Sequence, residues 1–237
     1  MEDTAQPAAP HKDASFRYLD LIVGVFVTAL VTSSLVAAKV AIVAGHKMGC
    51  GIFVFPVSYI FGDVLTEVYG YARSRRVIWI GFACAALASG VFWLADVMPP
   101  APDWPNQGAF HAILGQLPRV VAASLVAYVT GEFVNSYVLA KLKILTRGKH
   151  LWTRTIGSTV VGQLVDSAIF YPLAFLGQPG WSVAQVIEVG INNYLIKCAV
   201  ETLFTPVTYV VVAHLKRAEH EDFFDTNTDF NPLRLRV

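Results

Sequence analysis

Between Val77 and Ala95 the chain runs for nineteen residues without a charged side chain. About 20 mainly apolar residues cross the hydrocarbon core of a bilayer as a helix, and a run of this kind constrains the fold more than any other feature. Five further segments read the same way: Leu19 to Ala44, Gly51 to Tyr69, Val120 to Ala140, Ile156 to Leu176 and Val183 to Val212. Prolines within them (Pro56, Pro172, Pro206) are tolerable, because neighbouring helices can satisfy the freed carbonyls. The expected fold is all-α and integral to a membrane, with six transmembrane helices. Residues 1–18 read as a disordered cytoplasmic segment, 19–214 as the membrane domain and 215–237 as a cytoplasmic tail. The first apolar run is too long for a signal-peptide core.

Composition agrees. Charged residues make up only 15% of the chain, where globular domains carry about 25%, so there is too little charge to cover a soluble surface. A net charge of +1 leaves no excess of cations to neutralise phosphates, which argues against a nucleic-acid partner. Cys50, Cys84 and Cys198 form no pair in sequence and read as packing residues. Tracts absent from the chain include GxxxxGK[ST], HExxH and GxSxG, so no enzymatic machinery and no cofactor is expected. Asp225 to Asp229 imitates the start of a calcium loop, but Phe230 stands where the turn needs Gly and Arg236 where a bidentate Glu belongs.

Orientation follows from the bias of Lys and Arg towards cytoplasmic loops. With both termini inside, fourteen of the 18 basic residues lie in inner loops and tails, only Lys47 and Arg119 lie outside, and Lys39 and Lys197 fall within spans. The Pro-rich stretch Met98 to Pro118 is then an external loop.

Ionisable residues at membrane depth cost about 2.5–3.5 kcal/mol each on insertion scales. This chain holds Lys39, Asp63, Glu67, Glu132, Asp166, Lys197 and Glu201 at such positions. A purely structural bundle uses small residues and hydroxyls instead. Tyr59, Asp63 and Glu67 recur every four residues, as do Asn193, Lys197 and Glu201, and each set lies on one helix face. Glu132 with Asn135, and Gln163 with Asp166 and Phe170, keep spacings of three and four. Four polar stripes are cheapest if they turn towards one interior cavity. Bland readings stand beside this one. Lys197 with Glu201 suits a structural pair, Asp63 and Glu67 suit an interfacial cluster with Arg73, Arg75 and Arg76, and Lys39 can snorkel. A carboxylate accepts two parallel N–H bonds well, so a guanine-like edge suits the cavity, with Tyr59, Phe170 or Tyr194 stacking on the ring. An organic cation or a proton path suits it equally.

The segment Phe55-Pro56-x-x-Tyr59-x-x-x-Asp63-x-x-x-Glu67-x-Tyr69-Gly70 resembles the queuosine precursor transporter family. Gly162-Gln163-x-x-Asp166-Ser167, Lys197-x-x-x-Glu201-x-x-x-Thr205-Pro206-x-x-Tyr209 and Asp222-x-x-Asp225-x-x-Thr228-x-Phe230-Asn231-Pro232 carry the same resemblance. It implies a bacterial inner-membrane protein of six helices, similar in fold to the substrate-binding subunits of energy-coupling-factor transporters. It also implies uptake of 7-cyano-7-deazaguanine or its aminomethyl relative, with Gln163, Asp166, Asn193, Lys197 and Glu201 as the foremost cavity residues. The expected partners are a nucleobase-like small molecule and the bilayer, and a homo-oligomer is compatible with both. The alternative is a vitamin-type binding subunit that works with separate ATPases.

Overall fold

The computed structural model describes residues 16–36, 39–43, 46–115 and 118–234. Most of the N-terminal segment expected to be disordered lies outside the described residues, as does Ala44. Seven α-helices follow in chain order: α1 (Leu19–Val36), α2 (Phe55–Val64), α3 (Tyr71–Val97), α4 (Gln107–Leu114), α5 (Pro118–Leu145), α6 (Leu151–Phe175) and α7 (Val183–Glu219). Four stretches are long and apolar enough to cross a membrane: α1, α3, the stretch Gln107–Leu145 holding α4 and α5, and α7. Burial is inverted relative to a soluble bundle. On α7, Leu203 and Val210 are 74% and 70% exposed while Glu201 is 1% exposed. Apolar outside and charged inside is the arrangement lipid demands.

The first apolar segment differs from expectation. Its helix ends at Val36, and Val40–Val43 pairs antiparallel with His46–Gly49 as a small hairpin, β1 and β2. A short run of β-branched apolar residues bounded by glycine suits a strand as well as a helix. The second segment is a 3-10 turn at Cys50–Phe53, then α2, then a π turn at Leu65–Tyr69. From Phe55 to Tyr69 the helical stretch is about 22 Å long, short of the roughly 30 Å core. Gly70 closes it with φ +85°, a conformation that costs glycine little, and Phe223 packs where a side chain would stand. An apolar core of Ile22, Phe26, Ile60, Val64, Val68 and Val77, among others, ties α1, α2 and α3 together.

α7 continues past the expected membrane boundary to Glu219, and the tail turns back onto the bundle. Asp225 accepts from the Tyr71 N–H at the start of α3 (3.1 Å), and Arg75 donates to the carbonyls of Asp229 and Asn231 (2.8 and 2.7 Å). Burial pushes the Asp225 carboxyl above its ordinary range, although Thr228 and the Tyr71 N–H donate to it. At the same end, the backbone N–H groups of Arg17 and Tyr18 donate to the Glu219 carboxylate. Both described ends of the chain therefore meet on one face of the bundle, and the Pro-rich loop lies at the other.

Candidate functional site

α5 and α6 approach closely because glycine faces glycine. A Cβ on Gly131 would lie 2.9 Å from the Asp166 Cβ, and one on Gly162 would lie 2.8 Å from the Asn135 Cβ. Gly62 on α2 brings the third wall in: a Cβ there would meet Glu132 Oε2 at 3.1 Å. Asp63 (α2), Glu132 and Asn135 (α5), Gln163 and Asp166 (α6) and Glu201 (α7) are all buried at this junction. Asn135 Nδ2 donates to Asp63 Oδ1 at 2.9 Å, and Lys197 Nζ donates to Asp166 Oδ2 at 2.7 Å. Tyr59 lies within electrostatic reach of Asp166, Glu132 and Glu201. Asp63 Oδ2, Asn135 Oδ1 and both oxygens of Glu201 find no hydrogen-bond partner among the described residues. Four acids thus share a buried centre with Lys197.

The other sequence-chosen residues lie apart from this centre. Asn193 lies one turn before Lys197 on α7 and donates to the Val189 carbonyl of its own helix. Phe170 packs edge-to-face on Tyr171 and Phe175, in an aromatic group that Trp181 extends. Lys39 is exposed in the loop after α1. Glu67 occupies a second polar cluster, separated from the first by the hydroxyls of Thr66, Ser74 and Ser136, which lie 2.9–3.1 Å from one another. Arg154 grips Glu67 with two N–H groups (2.7 and 2.8 Å), and Lys216 bonds it at 2.6 Å. Lys143 stands 3.7 Å away, and Asp222 binds both lysines. Burial pushes the Asp222 carboxyl up, but hydrogen bonds from Lys143 and Lys216 outweigh it and hold the group below its ordinary value.

Arg154 and Lys143 are residues that sequence reasoning assigned to a basic loop, yet both are almost wholly buried. A signal was present. Arg154, Ser158, Gly162 and Asp166 follow a spacing of four, so Arg154 shares the inward face of α6. Two cavities, of about 60 and 270 Å³, lie elsewhere, between α1, α3 and α5, and are lined by groups such as Leu35, Phe92 and Leu125. No lining residue of either belongs to the polar centre.

A helical bundle with apolar flanks and a buried, charged centre defines a multi-pass membrane protein. Residues 49–211 match the family described as putative vitamin uptake transporter. The chain belongs to that family, that of the queuosine precursor transporters. A probable queuosine precursor transporter of Bacillus subtilis (strain 168) is 32% identical over 182 residues, covering 76% of this chain and 79% of the relative. The queuosine precursor transporter of Escherichia coli (strain K12) is 26% identical over 189 residues, covering 78% of this chain and 82% of its own. No solved structure matches the chain.

Proposed function

We propose that this protein takes up a queuosine precursor, 7-cyano-7-deazaguanine or its aminomethyl form, across a bacterial inner membrane by secondary or facilitated transport. Both termini face the cytoplasm, and six helices cross the bilayer in a bundle similar to energy-coupling-factor binding subunits. The observation that carries the reading is the buried centre where α2, α5, α6 and α7 present Asp63, Glu132, Asn135, Gln163, Asp166 and Glu201 to one another. Carboxylates suit the paired N–H donors of a deazaguanine edge, amides suit its carbonyl, and Tyr59 supplies a ring to stack on. Phe170 and Asn193 flank the centre towards the Pro-rich loop, and Glu67 flanks it towards the tail. They line the way in and out.

The relatives' names support the substrate class. The family's description as a putative vitamin uptake transporter keeps a second reading in view, and we take that reading as a vitamin-type subunit working with separate ATPases. Complementation separates the two. In cells unable to make deazaguanines, and lacking their own carrier, this protein alone should restore queuosine in tRNA from low external precursor. Restoration that appears only with added coupling ATPases supports the second reading. None in either background, with the protein well expressed, sinks the deazaguanine reading and leaves the vitamin reading ahead.

A further inference from the structure

The pairings inside the polar centre, Lys197 with Asp166 and Asn135 with Asp63, do not extend to Glu201. Glu201 is 1% exposed on α7, and neither of its oxygens has a hydrogen-bond partner among the described residues. The groups around it are Glu132 from α5, Asp63 and Tyr59 from α2, and Lys197 and Cys198 on its own helix. Asp166 of α6 is held by Lys197, and Asp63 has one oxygen on Asn135 and the other unpartnered. Glu201 therefore lies, with both oxygens unpartnered among the described residues, within electrostatic reach of two further buried carboxyls.

A carboxylate in a dry interior without a partner is heavily penalised, and repulsion from neighbouring carboxylates adds to the penalty. Among the described residues, no three His, Cys, Asp or Glu side chains stand close enough to hold a metal ion. A proton needs one oxygen and no coordination shell. It removes the charge that the geometry leaves unanswered.

We propose that Glu201, flanked by Glu132 and Asp63, is the proton-binding site of the carrier, and that each substrate molecule crosses with one proton. The inference rests on the carrier reading above and names what drives it. The proton enters from the side facing the Pro-rich loop and bonds a Glu201 oxygen while the centre is dry. It passes to water when the centre opens towards the tail. No bond in the substrate changes, and one positive charge moves inward with it. Lys197, held on Asp166 one turn away along the same helix, keeps a positive charge in the centre, so that the unloaded carrier returns without the proton.

The test uses purified protein in liposomes, radiolabelled 7-cyano-7-deazaguanine and a pH-reporting dye inside, with the membrane potential clamped. With the outside more acidic, label should accumulate about tenfold for each unit of pH difference if one proton moves per substrate. A protonophore should abolish accumulation, and the dye should report acid entering with the label. Whatever uptake persists in Glu201→Gln should ignore the gradient, and Glu201→Asp should regain sensitivity to it. Should Glu201→Gln fail to fold, the dye signal of the wild type and the Glu201→Asp response decide. Uptake that equilibrates identically with and without the gradient overturns the proton inference and leaves the carrier reading standing. Accumulation driven by sodium alone also overturns it. Absence of any binding or uptake of the deazaguanine removes the carrier reading, and this inference with it.

Discussion

Asp166 and Lys197 face each other across α6 and α7, and their 2.7 Å contact sets what a change at either residue does. A carboxylate this deep has to be neutral, paired or met by ligand donors, and here Lys197 supplies the pairing. A deazaguanine would compete for the same oxygens with its N–H donors. Asp166→Asn keeps the shape but turns one acceptor into a donor, which leaves buried partners unpaired. The expected loss of affinity is roughly 2–3 kcal/mol, about 30- to 150-fold in Kd. The check is equilibrium binding of 7-cyano-7-deazaguanine to wild type and variant, together with ligand-free melting of both. Unchanged affinity in a variant that melts far lower would make Asp166 a structural partner of Lys197. Single residues of this kind were legible because charge at membrane depth stands out against an apolar background. Arg154 and Lys143 were not. Counted with loop charges, they were not seen as buried counterions for Glu67, although the spacing of four from Arg154 to Asp166 already placed Arg154 on the inward face of α6.

At the scale of elements, the long apolar helices were readable from length alone, and the short ones were not. Nothing in Val40 to Val43 separates a last turn of helix from a strand, so the hairpin was invisible until its partner strand was seen. The π turn at Leu65–Tyr69 adds a residue to the helical turn, and Asp63 and Glu67, spaced as one face of an α-helix, enter two different clusters. The seam between α5 and α6 gives the clearest prediction at this scale. A Cβ at position 162 would stand 2.8 Å from the Asn135 Cβ and 3.1 Å from the Gly131 carbonyl oxygen. Backbone cannot yield as a flexible side chain can, so the two helices have to part. Gly162→Ala should cost about 1–3 kcal/mol, the range for overpacking a filled interior. It should also move Asn135 and so weaken the Asn135–Asp63 hydrogen bond. A melting temperature within error of wild type would mean that the seam is looser than these distances imply.

For the whole molecule, the question is which way the bundle sits in the membrane. Fourteen of the 18 Lys and Arg were assigned to the inner side against two outside, but three of those fourteen behave differently from loop charges. Lys143, Arg154 and Lys216 are drawn onto Glu67. Taking those three away from the fourteen still leaves eleven against two. The bias rests on residues such as Arg73 and Lys141, near the ends of α3 and α5, and Lys149 between α5 and α6. The fold adds an independent reason. Residues Arg17 and Tyr18 bond Glu219, so the start of α1 and the end of α7 share one face, and the basic loops lie on that face too. Such an arrangement orients as a unit, and the charge bias leads us to expect the tail inside and the Pro-rich loop outside. Cysteine labelling checks it, in a background with Cys50, Cys84 and Cys198 replaced by Ser. Asn106 and Asn227 are both exposed, in the Pro-rich loop and in the tail respectively. In intact cells, an impermeant maleimide should label Asn106→Cys and spare Asn227→Cys, and permeabilised cells should label both. Labelling of Asn227→Cys alone in intact cells would invert the molecule. The proton-binding centre would then open to the cytoplasm first, and the direction of uptake proposed above would fail with the topology.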